Sequence, residues 1–65
     1  MRMVRLTDLI KTIAQMRDEY PFTDEETFVN ITRDDLTRRP RLTVVYIDSD
    51  NDWEVTVSKV IRNED

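Results

Sequence analysis

The sequence predicts an α+β domain in which one N-terminal amphipathic helix packs on a three-stranded antiparallel β-meander. Two patterns predict this class. Apolar residues recur every three to four positions between residues 6 and 20, and two β-rich segments near the C-terminus flank a turn of Asp and Asn residues. The 65 residues contain no internal repeat and no linker. We therefore expect residues 1–65 to form a single small domain.

The spacing of apolar residues predicts the helix. Its apolar stripe consists of Leu6, Leu9, Ile10, Ile13, Ala14 and Tyr20, with Met16 beside it. The residues assigned to the opposite, polar face are Asp8, Lys11, Thr12, Gln15, Asp18 and Glu19. Thr7 is the predicted N-cap, because a threonine hydroxyl accepts a hydrogen bond from a free backbone N–H of the first turn. Pro21 disfavours helical geometry at Tyr20, so we predict the helix over residues 8–19.

The segment after Pro21 has two interpretations. Residues 23–26 have the spacing of a capping box and could open a second helix. Residues 27–32 are dense in β-branched and aromatic side chains, which lose rotamer freedom in a helix and favour a strand. We predict a strand over residues 27–33 and keep the second helix as the alternative.

Residues 33–41 are predicted to form a polar connection. Leu36 is its single apolar residue and is expected to anchor it to the core. One helical turn around residues 34–37 is compatible with the composition. Pro40 pushes Arg39 toward extended geometry and introduces the next strand.

The final third of the chain carries the strongest β signal. Residues 42–47 and 53–58 are predicted strands, and the Asp and Asn residues between them tolerate left-handed turn geometry. Because directly opposed residues share a face, apolar residues are expected to oppose each other. The predicted pairs are Tyr46–Val55, Val44–Val57 and Asp48–Trp53, which leave residues 49–52 as the loop.

This register divides the apolar residues between the two faces of the sheet. The predicted inner face, covered by the helix, consists of Leu42, Val44, Tyr46, Trp53, Val55 and Val57, extended by Val29 and Ile31. Apolar residues also fall on the second face: Phe28, Val45, Ile47 and Val60. A central strand that is apolar on both faces is expected to be covered on both. Either the segments 22–26 or 34–40 fold over the second face, or a second subunit or partner covers it.

Composition argues against several classes of function. The chain has no Cys, His or Gly, so it lacks an imidazole base, a thiolate nucleophile and the phosphate-binding loops that require glycine. We therefore expect no enzyme activity, no cofactor and no metal site. Asp48, Asp50 and Asp52 match the start of a calcium loop, but Trp53 and Lys59 stand where such a loop requires Gly and Glu. We predict a polar hairpin turn instead.

The leading functional hypothesis is a non-enzymatic protein-interaction module, a cytoplasmic homodimer that associates through the second face. No segment has the length and apolarity of a membrane span or signal peptide. A nucleic-acid-associated regulator is the alternative, and its basic cluster is Arg33, Arg38, Arg39 and Arg41. The net charge of -4 opposes approach to a polyanion. Two acidic stretches, within residues 18–26 and 48–54, suggest a further alternative, an inhibitor that mimics nucleic acid.

Overall fold

One helix and three strands follow each other along the chain. The structure, a computed structural model, describes residues 3–62. Its elements are α1 (Leu6–Glu19), β1 (Phe28–Arg33), β2 (Pro40–Asp48) and β3 (Trp53–Val60). The strands form an antiparallel sheet in the order β1-β2-β3. The predicted α+β fold is therefore confirmed. The domain prediction also includes residues 1–2 and 63–65, which lie outside the described residues.

The helix begins earlier than predicted. Arg5 occupies the N-cap position in an extended conformation, and its side chain forms no capping hydrogen bond. The Leu9 amide donates a 3.1 Å hydrogen bond to the Arg5 carbonyl, which places Thr7 inside the first turn. The prediction of Thr7 as N-cap is therefore wrong. The C-terminal end agrees with the sequence, because Tyr20 is extended immediately before Pro21 and the helix ends at Glu19.

The buried face of α1 overlaps the predicted stripe but is rotated relative to it. Leu9, Ile13 and Tyr20 pack against the core as predicted. The most buried positions, however, are Asp8, Thr12 and Met16. Leu6 and Ile10 of the stripe are 69% and 56% exposed. The assignment of Asp8 and Thr12 to the solvent face is wrong. Burial of Thr12 is possible because its hydroxyl donates a 2.8 Å hydrogen bond to the Asp8 carbonyl within the helix.

The segment after α1 forms a strand and not a second helix. Residues 24–26 form a bend, and β1 begins at Phe28, one residue later than predicted. The Thr27 hydroxyl donates a hydrogen bond to the Thr23 carbonyl, which holds this bend together. Arg17 forms an ion pair with Asp24 and ties the bend to the helix.

The β2–β3 hairpin has the predicted register. Tyr46 opposes Val55, Val44 opposes Val57 and Asp48 opposes Trp53. The loop is therefore residues 49–52, as predicted. Both strands are longer than the apolar segments that predicted them: β2 has 9 residues and β3 has 8.

The core lies between α1 and the inner face of the sheet. Its buried apolar side chains are Met16, Leu42, Val44, Tyr46 and Ile61. Phe22 packs against Tyr46 with ring centroids 5.8 Å apart, so the segment after α1 contributes to the same core. Val29 and Trp53 also lie on the inner face but remain exposed. The helix therefore covers mainly the central strand.

The connection between β1 and β2 is a hydrogen-bonded turn without an apolar anchor. Leu36 is 95% exposed, so its predicted role in the core is wrong. The Arg38 amide bonds to the Asp34 carbonyl at 2.8 Å, and Arg38 has a φ of 60°. Polar bonds within the turn, and not burial of Leu36, hold this connection.

Candidate interaction surface

The face of the sheet that points away from α1 is the candidate site, and we call it the outer face. Side chains alternate between faces along a strand, so the register assigns every residue to one of them. The outer-face residues are Phe28, Asn30 and Thr32 of β1; Arg41, Thr43, Val45 and Ile47 of β2; and Glu54, Thr56, Ser58 and Val60 of β3. All four residues predicted for the second face lie here.

Three of these apolar residues are neighbours, and together we call them the apolar corner. Phe28 lies directly opposite Val45, and Ile47 is the next outer-face residue along β2. Phe28 is 75% exposed, Ile47 is 43% exposed and Val45 is half-buried. The corner is therefore accessible to solvent.

Val60 lies at the other end of the outer face. It opposes Arg41, whereas Val45 opposes Thr56. Val45 and Arg41 are four residues apart on one strand, which corresponds to roughly 13 Å. The structure therefore brings Phe28, Val45 and Ile47 together and leaves Val60 apart from them.

The connecting segments do not bury the apolar corner. The segment 22–26 reaches the inner side of the sheet, where Phe22 packs on Tyr46. The turn that includes Leu36 projects into solvent. Of the two ways to cover this face, cover by the chain's own loops receives no support from residues 3–62.

A polar network crosses the end of the outer face opposite the apolar corner. Arg41 donates hydrogen bonds from Nε and Nη2 to Oδ1 of Asp34, at 3.1 and 3.0 Å. Its Nη1 donates to Ser58 Oγ on β3 at 2.9 Å. The other carboxylate oxygen of Asp34 accepts from the Thr37 amide and hydroxyl, at 2.9 and 2.6 Å. This network links the end of β1 to both other strands.

The same bonds alter the acidity of Asp34. Hydrogen bonds from the Thr37 hydroxyl and amide, and then from Arg41, hold the pKa of Asp34 below its usual 3.8. The ion pair with Arg41 is partly accessible to solvent, since the Arg41 side chain is 34% exposed. The network therefore favours the charged carboxylate.

The structure distributes the four arginines of the basic cluster over different surfaces. Arg33 has inner-face parity and Arg41 lies on the outer face, so their side chains leave opposite faces of the sheet. Arg38 and Arg39 lie in the turn between them. The Arg41 guanidinium is already hydrogen-bonded to Asp34 and Ser58. The four residues do not form one patch.

The Asp-rich β2–β3 loop is organised by its own hydrogen bonds. Asp48 accepts from the Asn51 side chain and the Asp50 amide, both at 3.0 Å, and these bonds lower the pKa of Asp48 from 3.8. Asp52 adopts a φ of 56°, the left-handed geometry that Asp tolerates. Residues 3–62 contain no group of three or more His, Cys, Asp or Glu residues suited to hold a metal ion.

Two exposed features escaped the sequence reasoning. The first is the apolar pair Leu6 and Ile10 on α1, exposed because the helix is rotated about its axis. The second is the free edge of β1, where Val29 is 56% exposed although it lies on the inner face. The strand order is the signal for this edge, since the first strand of a meander pairs on one side only.

Within the described part of the chain, no helix has both the length and the apolarity needed to cross a bilayer.

Comparison with known proteins identifies no relative. The chain matches no protein-family model, and no curated protein or solved structure is significantly similar to it.

Proposed function

We propose that this protein is a non-enzymatic interaction module that self-associates by stacking the outer face of its sheet on that of a second copy. The observation that carries the proposal is the apolar corner. Phe28, Val45 and Ile47 are adjacent on an uncovered face, and two of them, Val45 and Ile47, are on the central strand. Contact between two sheets removes such side chains from water, which is the dominant favourable contribution to association.

A second copy is the partner that the outer face fits best. Both faces of a pair of stacked sheets would carry the same corner, so a two-fold axis can place apolar residues against each other. Hydroxyl-bearing residues fill the middle of the face: Thr43, Thr56 and Ser58. Side chains of this size permit two sheets to approach to the usual spacing of about 10 Å.

Charged residues stand at both ends of the outer face. Glu54 lies beside the apolar corner, and Arg41 lies at the opposite end. A two-fold axis that places the two apolar corners against each other brings the two Glu54 ends together, so the charges at this rim do not complement each other. The proposed contact therefore depends on the apolar corner and not on charge pairing.

The test is the molecular mass in solution across a range of micromolar concentrations, measured by light scattering. The test variant is Val45→Thr/Ile47→Thr, which keeps β-branched side chains in the sheet and removes apolar surface from the corner. The matched control is Leu36→Thr, which removes an apolar side chain that is 95% exposed but lies in the turn. We expect a smaller mass for the test variant and an unchanged mass for the control.

The fold of each variant is checked by the far-ultraviolet circular dichroism of the monomer. A wild-type chain that is monomeric throughout the concentration range would contradict the proposal. So would an associated state that the double substitution leaves intact.

A further inference from the structure

The hydrogen-bond pattern of β1 shows which of its backbone groups face the open edge. The Asp34 amide donates to the Arg39 carbonyl at 2.8 Å, so Asp34 and Arg39 form a hydrogen-bonded pair beyond the end of the strand. Such pairs alternate along an antiparallel ladder. The even-numbered residues of β1 therefore bond to β2. The N–H and C=O groups of Val29, Ile31 and Arg33 point outward.

A second bond supports the same alternation from the other side of β2. The Ile61 amide donates to the Pro40 carbonyl at 2.8 Å, so the even-numbered residues of β2 bond to β3. The odd-numbered residues of β2 are left for β1, in agreement with the pairing of Phe28 with Val45. Within residues 3–62, no further strand pairs with the open edge of β1.

The two edges of the sheet differ in chemistry. The β3 edge carries Glu54, and Lys59 on the same strand forms an ion pair with Glu19 of the helix. Charged side chains of this kind discourage the addition of another strand. From Phe28 to Thr32, β1 has no charge, no proline and no bulge. The β1 edge is therefore the one that is open to strand addition.

We propose that β1 pairs antiparallel with β1 of a second copy, about a two-fold axis at Asn30, to form a continuous six-stranded sheet. Outward-pointing residues must face outward-pointing residues, so odd positions oppose odd positions. In the register centred on Asn30, Val29 opposes Ile31 of the second copy, and the symmetric pair repeats this contact. Each pair forms two backbone hydrogen bonds.

The two neighbouring permitted registers fit less well. Centred on Val29, the pairing would extend past the start of β1 at Phe28 and would place Ile31 opposite Thr27. Centred on Ile31, it would place Val29 opposite Arg33 and Phe28 opposite Asp34, whose carboxylate already accepts hydrogen bonds from Thr37 and Arg41. The register centred on Asn30 instead covers the exposed Val29 with an apolar side chain. Apolar cross-strand pairs are the favoured ones.

The outer face of one copy is smaller than a stable interface requires, and pairing of the β1 edges enlarges it. At ~4.8 Å per strand and ~3.3 Å per residue, a three-stranded face of this length measures about 400 Å². A stable interface usually takes about 800 Å² from each partner. Edge pairing joins two outer faces into one surface of about that size. Stacking of two such dimers would give a tetramer with D2 symmetry, and this last step rests on the proposed function.

The test combines mass with amide exchange. We expect the wild-type chain to form a tetramer at high micromolar concentration, with the Val29 and Ile31 amides protected from exchange. The outward-pointing amides of Glu54 and Thr56 on β3 should exchange quickly. Val45→Thr/Ile47→Thr should reduce the tetramer to a dimer that still protects Val29 and Ile31.

The edge itself is tested by Val29→Pro, which removes an outward N–H and leaves the β1–β2 bonds intact. Two interchain hydrogen bonds are lost per dimer, so the dissociation constant of the dimer should rise about 30-fold. Val29→Thr is the control because it keeps the N–H and a β-branched side chain. It should retain the dimer.

The possible failures are distinguishable. A dimer that is dispersed by Val45→Thr/Ile47→Thr, and in which the Val29 and Ile31 amides exchange quickly, overturns the edge pairing and leaves the proposed function standing. A dimer with protected edge amides that never forms a tetramer overturns the stacking of outer faces and supports the edge pairing. A chain that is monomeric at every concentration overturns both.

Discussion

Phe28 lies directly opposite Val45 on the outer face, in a pair that links an edge strand to the central strand of the sheet. The hydrogen-bonding alternation makes this a hydrogen-bonded pair, with its two backbone bonds inside the sheet. Val45 is half-buried beneath these contacts, whereas Phe28 is exposed. The pair therefore stabilises the pairing of β1 with β2, and its exposed Phe28 ring is available for contact with a partner.

The contribution of this pair to stability is measurable by a double-mutant cycle with Phe28→Ala and Val45→Ala. Cross-strand aromatic and β-branched pairs contribute about 0.2–1 kcal/mol, so we expect a coupling energy in that range. Urea unfolding of the dilute monomer gives the free energies. A second cycle, with Phe28→Ala and Val60→Ala, is the control because Val60 lies on β3 opposite Arg41, at the other end of the outer face from Phe28. It should show no coupling, and equal coupling in both cycles would contradict the pairing.

The rotation of α1 predicts opposite outcomes for two apolar residues of the same helix. Met16 is fully buried and Leu6 is 69% exposed. Met16→Ala should lower the free energy of unfolding by about 2–5 kcal/mol, because it removes buried surface and leaves a cavity. Leu6→Ala should change it by less than about 0.5 kcal/mol. Thermal and urea unfolding measure both, and a larger loss for Leu6→Ala than for Met16→Ala would contradict this orientation of the helix.

The Asp34 network predicts how stability depends on acid. The pKa of Asp34 is below 3.8 in the folded state, so the folded protein binds the proton less readily than the unfolded chain. The resulting stabilisation is complete above pH 3.8 and is lost as the pH falls through the lower folded-state pKa. Asp34→Asn should lower the melting temperature at neutral pH. It should also reduce the fall in melting temperature as the pH drops below 3.8.

The control for this prediction is the exposed neighbour Asp35. Asp35→Asn removes the same charge from the same turn and leaves the bonds of Asp34 to Thr37 and Arg41 intact. Melting temperatures measured between neutral pH and pH 2 should follow the wild-type curve in shape. An acid limb that responds equally to both substitutions would exclude a specific role for Asp34.

The geometry of the β2–β3 loop predicts a stabilising substitution. Asp52 adopts a φ of 56°, a region that glycine occupies without steric cost. Asp52→Gly should raise the free energy of unfolding by about 0.5 kcal/mol, since the bond from the residue 52 amide to the Asp48 carbonyl is kept. Asp50 has no positive φ, so Asp50→Gly should lower it by about 0.5 kcal/mol. Identical effects at both positions would contradict this loop conformation.

The hairpin was predictable because strand register follows from a period of two. A slip of one residue would move Val55 and Val57 away from the face that holds Val44 and Tyr46, so only one register joins the apolar rows. The same parity also identifies Ile61 as an inner-face residue, although it lies just beyond β3. Extending the alternation of β3 by one residue would therefore have predicted Ile61 as a core residue.

The rotation of the helix was not predictable in the same way. Apolar residues occupy more than one side of α1, and periodicity alone does not choose among them. Contact with Leu42, Val44 and Tyr46 selects the side centred on Met16. This choice buries Thr12, whose hydroxyl is satisfied within the helix, and exposes Ile10.

By itself, the sequence determined the end of the helix before Pro21, the hairpin register and the assignment of strand residues to the two faces of the sheet. These features depend on local geometry and on a side-chain period that any strand must obey. The tertiary structure decided which apolar residues are covered. Burial depends on the fit between helix and sheet, which is a non-local property, and it left the apolar corner and the β1 edge exposed.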